Sequence, residues 1–338
     1  MLNGATPLEL IGWTRIGVLI LCFGGAAWLD HKTRRVPNDW WWSWAKPTIF
    51  LLCLELLVLE ADWMVWLTAS AALSFASTAL IGRPDLGDLL RGSRIDIAVT
   101  IWYLASAVGL GMGAFVHGPV LVDYFSVDAG LLLEPEAERM ALLWGQMLLI
   151  GVVLLFFEMA WRFRMLHGGA DAKAMMLAAL LIPSWSGAPF PLMVDVHFTA
   201  MPPALSLMIW AGLAFLVLPF IMFIRNLKAG DAFPLEMSWH AFRMPLAEIP
   251  NNHVWLLEEM VDRPDGTRGV MRRMRPLRGS RAETDVAAVI DELVAEGCEK
   301  AWVTAKYPFL LFVFPAILPF ILLGDPITWA LDQLDLLA

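Results

Sequence analysis

The stretch His167–Met175 reads H-G-G-A-D-A-K-A-M and runs directly into the apolar segment Met176–Ile182. Two adjacent glycines free the backbone to turn sharply and to let another chain approach closely. Asp171 then falls in the first turn of an apolar helix, where the N-terminal end of the helix dipole favours an anion. A second stretch, Leu29–Trp42, reads L-D-H-K-T-R-R-V-P-N-D-W-W-W and ends another apolar helix with Asp30. Pro37 holds Val36 extended and so sets a turn before a new helix. Carboxylates at the ends of apolar helices are costly unless hydrated or paired, which makes both of them candidate functional groups.

The rest of the chain explains where these helices lie. Of 338 residues, 59% are apolar and 17% charged, with a mean hydropathy of +0.64. Soluble domains are about 45–50% apolar. The excess is gathered into runs long enough to cross a bilayer, and these predict a polytopic, all-α membrane protein with about eight transmembrane helices. The predicted spans are 11–29, 45–60, 63–82, 95–116, 140–161, 172–190, 204–224 and 307–324. Met1–Leu10 lacks the basic flank of a secretory signal, so the first helix is expected to remain in the chain. Cys22, Cys53 and Cys298 are scattered without a C-x-x-C pair, which argues against a disulfide framework or a zinc site. No metal and no cofactor are expected. The net charge of −9 discourages nucleic acid as a partner.

Lysine and arginine orient the spans. With the N-terminus outside, the inner segments are 30–46, 83–94, 162–173 and 225–306. All basic residues of the chain except Arg15 and Arg139 fall within them. The outer loops instead carry acids such as Glu60, Asp62, Asp123, Glu136, Glu138 and Asp325. This is a strong positive-inside pattern for a multi-pass protein of the cell membrane. It puts Asp30 and Asp171 at the same, cytoplasmic, face. Trp40, Trp41, Trp42 and Trp44 read as an interfacial aromatic belt.

One long polar stretch, 226–305, predicts a small cytoplasmic α+β domain before the last helix. It separates a seven-span core (1–225) from a final helix with a short outer tail (306–338). Val254–Val261 and Gly269–Met274 read as short extended runs joined by a turn at Pro264-Asp265-Gly266. Thr284–Glu296 has helical spacing, with Thr284 as the expected N-cap and Gly297 as the stop. Ala301–Thr304 reads as a strand. Arg272, Arg273, Arg275, Arg278 and Arg281 form a basic run that reads first as a solvated loop and second as a contact for anionic membrane lipid.

Two carboxylates brought together hold one proton between them. Such a pair can take a proton from water and deliver one to a leaving amine. That chemistry is peptide hydrolysis without a metal or a nucleophilic side chain. Other acids have simpler readings. Glu158 has Arg162 four residues on as an ion-pair partner. His167 reads as a loop residue. Lys173 is a boundary anchor, a partner for Asp171 or a substrate contact. Asp85 and Asp88 form a second G-D segment on the same face, but no apolar helix follows it. Together with Asp39 they read as solvated loop acids, and otherwise as attractors for a basic peptide.

The segment D-H-K-T-R-R-V-P-N (Asp30–Asn38) resembles the first catalytic-aspartate segment of the type IV prepilin peptidases. G-G-A-D-A-K-A (Gly168–Ala174) resembles their G-x-G-D segment, especially in archaeal members that process preflagellins. W-V-T-A-K-Y-P-F (Trp302–Phe309) looks like a run that precedes the final span in those members. The resemblance implies an aspartic endopeptidase that cuts class III signal peptides at the cytoplasmic face. Asp30 and Asp171 would be its catalytic pair, and Gly168, Gly169, Lys173, Pro37 and Asn38 would shape the site or bind substrate. The implied partners are pilin-like or flagellin-like precursors with a basic leader followed by a hydrophobic helix. Position 170 is Ala where the family motif has Gly. The aspartates are also further apart than in archaeal members, which implies a two-helix insertion between 45 and 161. The paired-cysteine loop of bacterial members is missing, and nothing points to their N-methylation activity. Two other functions use the same acids: a broader intramembrane aspartic protease, and a proton- or cation-coupled carrier. Carrier sites lie near the midplane of the bilayer, whereas both acids here stand at span ends.

Overall fold

A computed structural model describes residues 6–82, 87, 92–125, 135–166, 168–186, 188–193, 201–262, 268–276 and 285–334. The protein is mostly helical, with six helices among the described residues long and apolar enough to cross a membrane and a small sheet region toward the C-terminal end. Asp85, Asp88, His167, Arg278, Arg281, Thr284 and the Pro264–Gly266 turn lie outside the described residues. The chain forms two compact units, one from Met1–Ala211 with Phe309–Ala338 and the other from Gly212–Pro308.

In the first unit, α1 (Pro7–Thr33) starts at a complete capping box. The Thr6 side chain accepts from the Glu9 N–H, and the Glu9 carboxylate accepts from the Thr6 N–H. The helix ends at Arg34, whose φ of 57° is left-handed. After the extended residues Arg35–Pro37, α2 (Asn38–Val58) begins seven residues earlier than the sequence predicts. The reason lies in the tryptophans. Trp41 is 2% exposed, and Trp40 sits on Gly25 of α1, where a Cβ would come within 2.3 Å of its ring. Trp40 and Trp44 pack ring on ring. Of the four, Trp41 is buried, Trp40 and Trp44 are half-buried and Trp42 is exposed, so one face of the first two turns of α2 packs on the core.

Asp62 caps α3 (Trp63–Ile81) by accepting from the N–H groups of Met64 and Val65. Next come α4 (Arg94–Phe125) and α5 (Pro135–Arg162). The α3–α4 contact is a close, polar seam. Ser70 meets Ser106 at 2.9 Å and accepts from Trp102 Nε1, while Ser77 meets Tyr103 at 2.8 Å. Small residues and hydroxyls of this kind join helices where lipid supplies no hydrophobic drive.

The short helix α6 (Gly169–Leu181) touches α1, α2, α3 and α5. Every residue from Ala174 to Leu181 is buried, which is why the segment is apolar on all sides. It spans about 20 Å at 1.5 Å per residue, short of the ~30 Å hydrocarbon layer. The run 172–190 expected from the sequence therefore stops at Leu181. Ile182 and Pro183 follow, and Trp185 packs against Phe190 and Phe320. Helices α7 (Pro203–Leu216) and α8 (Leu218–Ala229) form a 27-residue apolar run. The last span, expected at 307–324, is α11 (Leu310–Leu323), and the tail after it forms α12 (Pro326–Gln333), bent by 49° from α11. Counted as one crossing, that pair makes seven.

The second unit contains the polar stretch. After the short α9 (Leu235–Ser238), β1 (Phe242–Pro245), β5 (Lys300–Ala305) and β2 (Val254–Leu256) form an antiparallel sheet in the order β1-β5-β2. Strands β3 (Glu258–Asp262) and β4 (Arg268–Arg272) form a separate antiparallel pair. Helix α10 (Val286–Ala295) covers the core with Val289, Ile290 and Leu293. Its cap is Asp285, which accepts from the Ala288 N–H, one residue beyond the expected Thr284. Gly297, at φ 81°, follows the helix as expected. The basic run is partly consumed inside the unit. Arg272 bonds to the buried Glu258, and Arg273 pairs with the buried Glu259. Those two arginines are therefore engaged in the fold rather than forming a solvated loop.

Candidate active site

Helix α6 carries Asp171 into the helical bundle. Gly168 takes the N-cap position with an ordinary φ of −108°, so it is not required for an unusual backbone turn. Its role is spatial. A Cβ at position 168 would lie 2.6 Å from Asp171 Oδ2, inside van der Waals contact. The carboxylate folds back over the cap, where the Gly168 backbone N–H bonds to it. Gly169 differs. A Cβ there would meet Trp161 at 3.6 Å, which is ordinary contact. Ala170 sits on the helix with its side chain partly buried against the core, so a methyl group is accommodated there. Of the two glycines, only Gly168 is demanded by its surroundings.

Asp30 is in the last turn of α1 and is 8% exposed, while Asp171 is 9% exposed. Helix α1 packs on α6, and Asp30 is near enough for its charge to act on Asp171. The two acids, 141 residues apart in the sequence, are both buried and stand on helices that pack together. The charge of Arg34 also reaches Asp30.

A second link joins the same two segments. Lys173 Nζ donates to Asn38 Oδ1 at 2.7 Å. Lys173 is two residues beyond Asp171, and Asn38 is the first residue of α2, directly after Pro37 at its N-cap. Pro37 and Asn38 are exposed, and Lys173 is half-buried. The bond closes the loop between α1 and α2 onto α6. This contact was invisible in the sequence because its partner is 135 residues away.

Beside Lys173 is a cavity of about 110 Å³ between α3, α5 and α6. Its α6 wall is Gly169, Ala172, Lys173 and Met176, a stripe that does not include Asp171. Glu158 and Arg162 form its opposite wall and pair with each other, as their spacing predicts. Glu158 is therefore placed near the Lys173 side of α6 and is held by its own helix.

The opposite ends of α1 and α2 hold a pair that the sequence reading missed. Arg15 Nη2 lies 2.8 Å from Glu55 Oε2, and both side chains are 7% exposed. A signal was present, since Arg15 is the lone charged residue of the run 11–29 and Glu55 stands with apolar residues on either side. Buried ionisable groups in such helices call for a partner.

Comparison of the chain with protein-family models and with curated proteins gave no match.

Proposed function

We propose that this protein is an aspartic membrane endopeptidase that removes class III signal peptides from pilin-like or flagellin-like precursors. The observation that carries the reading is that Asp30 and Asp171 are both buried on helices that pack together, near enough for the charge of one to act on the other. It is supported by the Lys173–Asn38 bond between the segments that bear them and by the motif resemblance of both segments. We take the chain to cross the membrane eight times, with its N-terminus outside. The polar unit and both aspartates are then at the cytoplasmic face. In this topology α6 is a short crossing packed among the longer α1, α2, α3 and α5.

In the proposed reaction one carboxylate is ionised and the other protonated. The ionised group takes a proton from water as the water oxygen attacks the scissile carbonyl carbon. The carbonyl π electrons move onto oxygen. Collapse of that intermediate breaks the C–N bond, and the protonated partner gives its proton to the departing amine. A basic leader would remain in the cytoplasm while the hydrophobic helix that follows it lies in the bilayer.

Vesicles containing the wild-type protein are expected to cut a synthetic precursor at the junction between basic leader and hydrophobic helix, read by mass spectrometry of the products. Lys173→Met should slow this cleavage about 10-fold, because a loosened site loses the alignment of its two halves. Cleavage at scattered positions within the hydrophobic helix would replace this reading with a broader intramembrane protease. An unchanged rate for Lys173→Met would remove the Lys173–Asn38 bond from the site.

A further inference from the structure

We propose that Arg34 is a catalytic residue of this site, donating hydrogen bonds to the carbonyl oxygen of the scissile peptide. The inference rests on the aspartic-peptidase reading above. Three observations meet at this one side chain. Arg34 lies four residues after Asp30, and its backbone N–H bonds to the Asp30 carbonyl oxygen at 3.0 Å. Its φ of 57° puts a bulky residue in the left-handed region, which glycine or asparagine ordinarily fills at a helix C-terminus. Its Nε and Nη1 atoms are buried and find no hydrogen-bond acceptor among the described residues.

The last two features are unfavourable for the resting fold. A desolvated guanidinium N–H without an acceptor is among the costlier defects of a protein interior. A non-glycine residue in the left-handed region adds strain. Arg35 is exposed, in contrast. The strain and the unfilled donors both fall on the residue whose charge reaches Asp30. A guanidinium presents its N–H groups as a rigid fork, and a planar carbonyl oxygen that turns into an oxyanion is a fitting acceptor. During attack, water loses a proton to the ionised carboxylate and the carbonyl electrons collect on oxygen. The fork of Arg34 stabilises that charge as it develops. When the C–N bond breaks, the electrons return and the donors are released.

A structural role and a catalytic role predict opposite effects of Arg34→Gly. Glycine suits the left-handed C-cap and removes the buried donors, so thermal stability should stay level or rise. Under the proposal kcat falls about 100-fold with KM changed less than about threefold. Arg34→Lys, which keeps the charge but loses the fork, should recover only part of kcat. The measurement is steady-state cleavage of the precursor in vesicles together with the melting temperature of each purified variant. A kcat within threefold of wild type for Arg34→Gly overturns the proposal, as does a loss of activity accompanied by a lower melting temperature. Asp30→Asn and Asp171→Asn belong in the same series. If they are inactive while Arg34→Gly cuts normally, this inference alone fails. If they cut like the wild type, the aspartic-peptidase reading fails and the role of Arg34 fails with it.

Discussion

Gly168→Ala is expected to reduce precursor cleavage by at least about 100-fold, and Gly169→Ala by less than about threefold. The two glycines are adjacent and look equivalent in the sequence. Their surroundings separate them. A methyl group at 168 would come within 2.6 Å of Asp171 Oδ2 and 3.1 Å of its carboxyl carbon. The backbone at 168 belongs to the cap of α6, so the carboxylate is the group that must move. Displacing a reacting group by about 1 Å costs on the order of 100-fold in rate. At 169 the added methyl meets only the Trp161 ring at 3.6 Å, and alanine favours the first turn of a helix over glycine. Cleavage rates of the two variants at matched protein levels check this directly. Equal sensitivity at both positions would mean that backbone freedom, rather than space for the carboxylate, is what the glycines supply.

The second large effect concerns stability. Arg15→Leu is expected to destabilise the protein by about 3–5 kcal/mol, because it leaves Glu55 charged, buried and unpaired. Glu55→Leu should be similarly damaging, since Arg15 would lose its 2.8 Å partner and keep only a 3.5 Å contact to the Leu51 carbonyl. The double variant Arg15→Leu/Glu55→Leu should recover most of that loss, as apolar replacements of buried pairs are often neutral or better. Denaturant unfolding of the four proteins in detergent gives the coupling between the two sites. Additive losses in the double variant would show that the pair is not the unit that matters.

The spread between legible and hidden features follows the range of the forces involved. Helices α1, α3, α4 and α5 are marked by runs of apolar residues, a local signal, and the structure has them. Helix α10 and strand β5 have their own periodicity and were equally readable. Strand β1 was not. Phe242–Pro245 is four residues long and ends in proline, and it is a strand because Phe242 faces Val303 and Met244 faces Ala301 across the ladder. The early start of α2 was hidden for a similar reason. Trp40 and Trp41 look like interfacial residues until Gly25 is placed opposite, on another helix. Helix α6 appeared longer in the sequence because apolar residues continue past Leu181. What ends it is Pro183 and the packing of Trp185 on Phe190 and Phe320.

The candidate site divides in the same way. Asp30 and Asp171 could be singled out one at a time, because a carboxylate at the end of an apolar helix is locally anomalous. That the helices carrying them pack together is a tertiary fact. Lys173 and Asn38 were singled out without their bond, which depends on the packing of α2 on α6. The spatial role of Gly168 was hidden because the sequence does not record that the Asp171 side chain folds back over its own cap.

The measurement that bears most directly on the central claim is cleavage of a class III precursor in membranes by the wild type, Asp30→Asn and Asp171→Asn. Both substitutions keep size and shape while removing the ability to exchange a proton. The expected result is cleavage by the wild type and a loss of at least about 1,000-fold in each variant at normal protein levels, since either carboxylate alone cannot both accept and deliver the proton. Cleavage by Asp30→Asn or Asp171→Asn at near wild-type rate would contradict the claim that these two residues form one catalytic pair.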